Sequence, residues 1–243
     1  MQQLVNKGFI WRPRYWLLPA ALGVVLLAIE PAGVVGEIDG SQTQRDTVTD
    51  IDGNVYHTVT IGSQVWMVEN LKAAHYRDGT AIPGVLDNDE WSSLTTGAFC
   101  VSELDSSAGT DAYGLLYNFH AVNDSRGLGP AGWHVPTAAE WRTLIETLGG
   151  DEVAGGRMRE TGSGQWRIPV PGSTNASGFS AIPAGGRGRF GSASDAGYYA
   201  TWWSSTSSDT TYAWHWGLYP DQNSIRSNPG HKASGFSVRC IQD

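Results

Sequence analysis

The chain has 243 residues, a formal net charge of -8 and 16% charged residues, with 31 glycines and 11 tryptophans. Such a composition is typical of a loop-rich fold of short strands with aromatic packing, and it argues against an all-α fold. Because no cluster of Lys and Arg occurs beyond the extreme N-terminus, the sequence lacks the basic patch expected of a DNA- or RNA-binding protein, and no nucleic-acid partner is expected.

Residues 1–36 predict a targeting segment. Lys7, Arg12 and Arg14 precede the apolar run YWLLPAALGVVLLAI. This run has the length of a signal-peptide core and is short for a bilayer span of about 20 residues. We favour a cleaved signal peptide ending near Gly36 over an uncleaved membrane anchor. Both interpretations predict an exported protein that is extracellular, periplasmic or located at the cell surface. We expect contact with a membrane only through this segment, and only if the segment is retained.

Residues 37–49 are polar without apolar periodicity and predict a linker, so we expect one domain over residues 50–243. The domain opens with the turn signal DIDGN and continues with the strand-like VYHTVTI. Gly62 and Ser63 then turn the chain back, which predicts a β-hairpin. The acidic DIDGN does not match the spacing of an EF-hand loop. We interpret it as a plain turn, and we expect no cofactor, although a structural calcium ion is compatible with the acidic turns.

Residues 73–112 predict mostly loop, with acidic turns in LDNDEW and ELDSSAGTD. The next segment, YGLLYNFHAV, suits either a strand or a short buried segment, because its apolar positions do not follow one period. The residues alone leave these two alternatives open.

The strongest structural prediction is a helix that begins within GWHVPTAAEW. Thr137 is a good N-cap residue, and Glu140 stands three positions later, which is the pattern of a capping box. Apolar residues then recur at helical spacing until Gly149 provides a C-terminal stop. His134 precedes the cap, and we interpret it as a structural histidine rather than a catalytic one.

Six segments resemble, in order, the motifs of the Fibrobacter succinogenes major paralogous domain family. They are DIDGNVYHTVTIGSQVWMVENLK, YGLLYNFHAV, GWHVPTAAEW, TNASGFSAIPAGGR, WWSSTS and GFSVRCIQD. The resemblance covers nearly all of residues 50–243 and implies an exported or cell-surface bacterial domain without an established biochemical activity.

A more distant similarity, carried by HVPTAAEW and GFSVRC, is to the formylglycine-generating type of C-type-lectin-like fold. It implies an α+β domain with short twisted β-sheets, few helices and long loops. This fold carries both enzymes and ligand-binding proteins, among them hypervariable receptors that bind through C-terminal strands and loops.

An enzyme is the less favoured alternative. Formylglycine-generating catalysis uses a close pair of cysteines, whereas this chain has only Cys100 and Cys240, each in a strand-like context. Two cysteines in an exported protein favour one structural disulfide. Family members often carry a cysteine at the position of Gly129, so their disulfide pattern does not transfer directly. No G-x-S-x-G elbow leads into a helix, and neither H-E-x-x-H nor a phosphate loop occurs.

The C-terminal segment carries the binding hypothesis. Residues 198–231 mix Trp and Tyr with Ser, Thr, Asp and Asn, a composition that binds sugar rings or peptide side chains. Strand alternation predicts that about half of these aromatic residues are core. The candidate ligand-binding residues are Trp214, Trp216, Tyr219, Asp221, Asn223, Arg226 and Asn228. We expect a non-enzymatic recognition module for a glycan or a surface protein, with a passive structural surface domain as the alternative.

Overall fold

The computed structural model describes residues 46–108 and 112–243. The predicted signal segment, residues 1–36, lies outside the described residues. Within the described part, no helix is long and apolar enough to cross a membrane. The strands are β1 (Thr47–Thr49), β2 (Val55–Ile61), β3 (Gln64–Met67), β4 (Phe99–Val101), β5 (Leu115–Asn118), β6 (Trp133–His134), β7 (Gly186–Arg187), β8 (Ala193–Ser194), β9 (Ala200–Ser207), β10 (Tyr212–Leu218), β11 (Ile225–His231), β12 (Gly235–Phe236) and β13 (Ile241–Gln242). The helices are α1 (Asn88–Ser92), α2 (Glu103–Ala108), α3 (Phe119–Val122), α4 (Ala138–Thr147) and α5 (Asp151–Met158).

Across residues 46–108 and 112–243 the strands form three sheets. Their strand orders are β1-β2-β3-β13-β6, β11-β10-β9 and β4-β5-β12-β7-β8. The named strands pair antiparallel, and β13 at the C-terminal end pairs with both β3 and β6. The last strand therefore completes the sheet that the first hairpin begins. This architecture, mostly β-sheet with few and short helices, agrees with the coarse part of the predicted fold.

The predicted β-hairpin is confirmed as β2 and β3, which turn at Gly62 and Ser63. The predicted linker is too long at its C-terminal end, because Thr47–Thr49 pairs with β2 as a strand. Asp50 follows that strand and is buried. Its carboxylate accepts hydrogen bonds from the Tyr56 hydroxyl at 2.6 Å and from the Asn54 backbone N–H at 2.9 Å. The acidic DIDGN segment thus forms a turn that is stabilised by hydrogen bonds to the carboxylate of its first residue, Asp50.

The described residues of 73–112 are mostly loop, as predicted, but they also include short elements that the sequence did not predict. These elements are α1, whose N-cap Asp87 accepts a hydrogen bond from the Glu90 N–H at 2.9 Å, as well as β4 and α2. Helices this short do not span enough turns to show apolar periodicity. The YGLLYNFHAV segment contains both a strand and a helix, β5 and α3. Asn118 is the last residue of β5, and its side chain caps α3 by accepting from the Ala121 N–H at 3.0 Å.

The helix predicted at GWHVPTAAEW is confirmed as α4. The Thr137 hydroxyl accepts from the Glu140 N–H, and the Glu140 carboxylate accepts from the Thr137 N–H at 2.7 Å, so both halves of the capping box are present. The helix buries Trp141, Leu144 and Ile145. This apolar face joins a core cluster that also contains Trp66, Phe179, Trp202 and Trp216.

The predicted disulfide between Cys100 and Cys240 is wrong. Both cysteines are free and buried, and they belong to different core clusters. Burial raises the pKa of both thiols, that of Cys240 to about 12, so they are unreactive core residues. A Cβ atom built on Gly129 would lie 2.9 Å from the Cys240 Sγ. The position that faces Cys240 is therefore residue 129, which carries no thiol in this chain.

Thr137→Ala removes the hydroxyl that accepts the Glu140 N–H and should lower the free energy of unfolding by about 1 kcal/mol. Urea unfolding followed by circular dichroism measures the change. The matched control is Thr143→Ala on the exposed face of the same helix, which should change stability by less than about 0.5 kcal/mol. Equal effects of the two substitutions would contradict a stabilising role for the cap.

Gly129→Cys should form a disulfide with Cys240 and stabilise the protein by about 2–4 kcal/mol. Mass spectrometry after alkylation of the unfolded, unreduced variant should find no free thiol on either residue. Wild-type protein is the control, since its melting temperature should not respond to reductant. Free thiols at both positions in the oxidised variant would show that the two residues do not face each other.

Candidate ligand-binding surface

The three-stranded sheet β11-β10-β9 packs against the core on both faces, and part of one face is exposed. Trp216 and Trp202 are opposite each other on β10 and β9 and point into the core. Thr201, Gly217 and Arg226 form the next cross-strand row, and side chains of this row project to the opposite side of the sheet. Farther along this side, Trp203 is buried beneath Phe119 and Phe236. Only the end of the side at this row is exposed, and we call that part the outer face.

Tyr219 is held in place on the outer face. A Cβ atom on Gly217 would lie 3.7 Å from the Tyr219 ring, so the ring covers the glycine. The Asn228 amide donates a hydrogen bond to the Tyr219 hydroxyl at 2.9 Å. The Tyr199 ring meets the Tyr219 ring edge to face, with centroids 5.4 Å apart. Both tyrosines are partly exposed. We call this surface the tyrosine face and define it as Tyr199, Thr201, Tyr219, Arg226 and Asn228.

A cavity of about 150 Å³ adjoins the tyrosine face and shares Tyr199 and Thr201 with it. Phe236 and the exposed Asp195 also line it. The Arg187 guanidinium forms part of the wall, but its nitrogens donate to the carbonyl oxygens of residues 85, 86, 87 and 191 and to the Asn88 side chain, so it is fully bonded to the protein. Aromatic rings and exposed carboxylate, guanidinium and amide groups thus lie on one continuous surface.

The structure brings together three of the seven predicted site residues, Tyr219, Arg226 and Asn228, on the tyrosine face. Trp216 is 3% exposed and stacks on Trp141 with ring centroids 5.6 Å apart, so it is a core residue rather than a contact for ligands. Trp214 also packs against the core cluster. The sequence pattern did place both tryptophans on one face of β10, and that face is the buried one.

Asn223 has a structural role in the loop between β10 and β11. Its side chain donates to the Pro171 carbonyl oxygen at 2.8 Å, and its own carbonyl oxygen accepts from the Gly156 N–H at 3.0 Å. Asp221 is exposed in the same loop. Sequence reasoning did not include Tyr199 and Thr201 in the site. The glycine in WGLY is the signal that could have found the tyrosine face, because a glycine within a strand often marks a close approach by another group.

In the part of the chain that the structure describes, metal-ligating side chains are not brought together in the same way. Residues 46–108 and 112–243 contain no group of three or more His, Cys, Asp or Glu side chains that could hold a metal ion. A structural calcium ion stays a prediction. The two cysteines are buried apart from each other, so they do not form the close thiol pair of formylglycine-generating enzymes.

His134 lies between two carboxylates and joins the start of α4 to the C-terminal residue. Its ring nitrogens lie 2.9 Å from the Glu140 carboxylate and 2.7 Å from the Asp243 carboxylate. Partial burial alone would lower the pKa of His134, but the hydrogen bonds to Asp243 and Glu140 raise it overall. The pKa of Glu140 is lowered, because the Thr137 N–H and His134 outweigh the effect of burial. These contacts agree with the structural interpretation of His134.

The fold and the tyrosine face define a domain of antiparallel sheets that presents partly exposed aromatic side chains beside a small cavity. The model of one protein family, described as the Fibrobacter succinogenes major domain, matches residues 59–242. The chain belongs to this family, as the six sequence motifs indicated. Comparison with curated proteins gave no match, and neither did comparison with solved structures.

The contribution of His134 to stability should depend on pH. Because its folded pKa is raised above 6.5, that contribution is complete below pH 6.5 and is lost as the pH rises through the folded value. Glu140 has a folded pKa below 4.5, so its contribution is lost only as the pH falls through that lower value. Urea unfolding should show a larger stability difference between wild type and His134→Gln at pH 6 than at pH 9. An equal difference at both values would exclude a charged His134.

Proposed function

We propose that this protein is an exported, non-enzymatic recognition module of the cell surface that binds a glycan through the tyrosine face. The observation that carries the proposal is the fixed position of the Tyr219 ring over Gly217. An aromatic ring that is already immobilised loses little conformational entropy when a ligand stacks on it. Sugar rings offer apolar faces for such stacking.

The polar groups around the two tyrosines support binding of a hydroxyl-rich ligand. The Arg226 side chain makes no hydrogen bond or ion pair with any other described residue, and it is exposed. Asp195 places a carboxylate at the rim of the adjoining cavity. A few directional polar groups beside apolar walls are the usual composition of a small-molecule subsite. A protein ligand is the alternative occupant of this surface.

We further propose that the antiparallel sheets and short helices form a C-type-lectin-like fold. Two features support this. The α4 helix begins at the HVPTAAEW motif, and the GFSVRC motif leads into β13, which lies between β3 and β6 in the first sheet. In that fold the C-terminal strands and loops display binding residues, and the tyrosine face lies on this region of the chain. The enzyme alternative lacks a comparable observation, since neither buried cysteine has a thiol partner.

Replacing Tyr199 and Tyr219 together by Ala should weaken binding of the preferred glycan at least about tenfold, because both stacking surfaces are lost. The ligand is identified on a glycan array with the wild-type protein, and affinities are then measured by isothermal titration calorimetry. Arg226→Ala should also weaken binding while leaving the melting temperature nearly unchanged, since the side chain is exposed.

Tyr212→Ala is the matched control. Tyr212 is an exposed tyrosine at the opposite end of β10, and its removal should leave glycan affinity unchanged. Equal loss of affinity in the control would place the binding site elsewhere. If the wild type binds no glycan but captures a protein, the protein-ligand alternative is supported. If it binds neither, the passive surface domain is supported.

A further inference from the structure

Arg159 is a buried arginine without an acidic partner among the described residues. It follows the last residue of α5 and is 1% exposed. Its Nη2 donates to the carbonyl oxygens of Tyr219 at 2.7 Å and Gln222 at 3.1 Å. The Nε and Nη1 atoms are buried and donate to no group in the described structure. Burial lowers the pKa of Arg159 to about 10, with no carboxylate acting in the opposite direction. A buried charge in this situation is unfavourable unless something compensates it.

Two other buried arginines show what compensation within the fold looks like. Arg187 has all of its nitrogens bonded to backbone carbonyls and the Asn88 side chain. Arg239 is enclosed by core aromatic rings and donates to the Phe179 carbonyl oxygen and the Asn70 side chain, and only its Nε has no partner. Arg159 differs from both, because it lines a cavity while two of its nitrogens lack partners. The missing partner is therefore expected from that cavity.

The cavity has a volume of about 180 Å³. The Trp166 ring forms one wall, and its centroid lies 3.7 Å from the Arg159 guanidinium carbon. The indole N–H of Trp166 donates a hydrogen bond to the Ala181 carbonyl oxygen at 3.0 Å, which fixes the ring. Pro169 and Val170 add further apolar surface. An apolar cavity of about 150 Å³ accommodates benzene, so the space suits a molecule or a terminal group of about that size.

One acidic side chain, Glu160, also lines the cavity. The Ser163 N–H donates to its Oε1 at 3.1 Å, and the Ser163 hydroxyl donates to its Oε2. Glu160 is thus bonded to its own loop and forms no ion pair with Arg159. The Arg159 guanidinium, which lines the cavity, can therefore pair with an anion from outside the protein.

We infer that this cavity binds a small organic carboxylate, which pairs with the Arg159 guanidinium and places its apolar face against Trp166, Pro169 and Val170. Arginine suits this role because it is charged at neutral pH and its planar donors match a carboxylate. Two sources have this chemistry, a free organic acid and an acidic sugar unit. The inference does not depend on the tyrosine face, since the two sites share no side chain.

Binding is tested by isothermal titration calorimetry of the full chain with benzoate and with glucuronate. Benzyl alcohol serves as the neutral probe of benzoate's shape. We expect saturable binding of at least one acid and none of the alcohol. Tighter binding of benzoate indicates a free organic acid, and tighter binding of glucuronate indicates an acidic sugar. Failure of both acids to bind, or equal binding of benzyl alcohol, would overturn the inference.

Two substitutions locate the site. Arg159→Met should weaken acid binding at least about tenfold by removing the charge. Val170→Phe should have a similar effect by filling the cavity. Because this variant keeps Arg159, it tests the site even if the arginine variant fails to fold. The matched controls are the exposed neighbours, Arg167→Met and Ile168→Phe, which should bind as the wild type does. Unchanged affinity in folded Val170→Phe would show that the acid binds elsewhere.

Discussion

The stacking of Trp141 on Trp216 is the contact on which the rest of the domain depends. The two rings are nearly parallel, at 8°, with centroids 5.6 Å apart, and they join α4 to the middle strand of the three-stranded sheet. Trp202 and Phe179 pack around the same pair. Because Trp216 faces this core cluster, its neighbour Gly217 faces the opposite side of the sheet. The inner packing thereby determines which side of β10 can carry the tyrosine face.

Aromatic packing also explains how this chain buries arginines with few acidic partners. Arg239 lies over Phe179, Arg187 over Trp91 and Arg159 over Trp166. A ring face attracts a cation more strongly away from water, and backbone carbonyls supply acceptors for the N–H groups. Arg187 obtains nearly complete compensation in this way. For Arg159, the Trp166 ring and two carbonyl oxygens leave the Nε and Nη1 donors without partners. This difference is the reason that the cavity beside Arg159 is proposed as an anion-binding site.

The elements that could be predicted from the sequence are those whose determining contacts are local. The capping box needs only Thr137 and Glu140, three positions apart, and the first hairpin needs only its turn. The short helices could not be predicted, because their few turns carry no period. The buried half of the aromatic residues could not be identified either, since the burial of Trp216 depends on Trp141, which is distant in sequence. The state of the cysteines could not be predicted for the same reason, because whether Cys240 has a disulfide partner depends on residue 129, which is distant in sequence.

The loop between β10 and β11 connects the two surfaces. Arg159 holds this loop through the carbonyl oxygens of Tyr219 and Gln222, while the Tyr219 side chain is pinned by Asn228 on the outer face. Tyr219 is therefore bound to Arg159 through its backbone carbonyl oxygen and to strand β11 through its hydroxyl. A carboxylate paired with the Nε and Nη1 of Arg159 would bind the guanidinium whose Nη2 holds those carbonyl oxygens. Any resulting shift in the backbone at Tyr219 would change affinity at the tyrosine face. Thermodynamic linkage requires the effect to be reciprocal, so a ligand on the tyrosine face would change carboxylate affinity by the same factor.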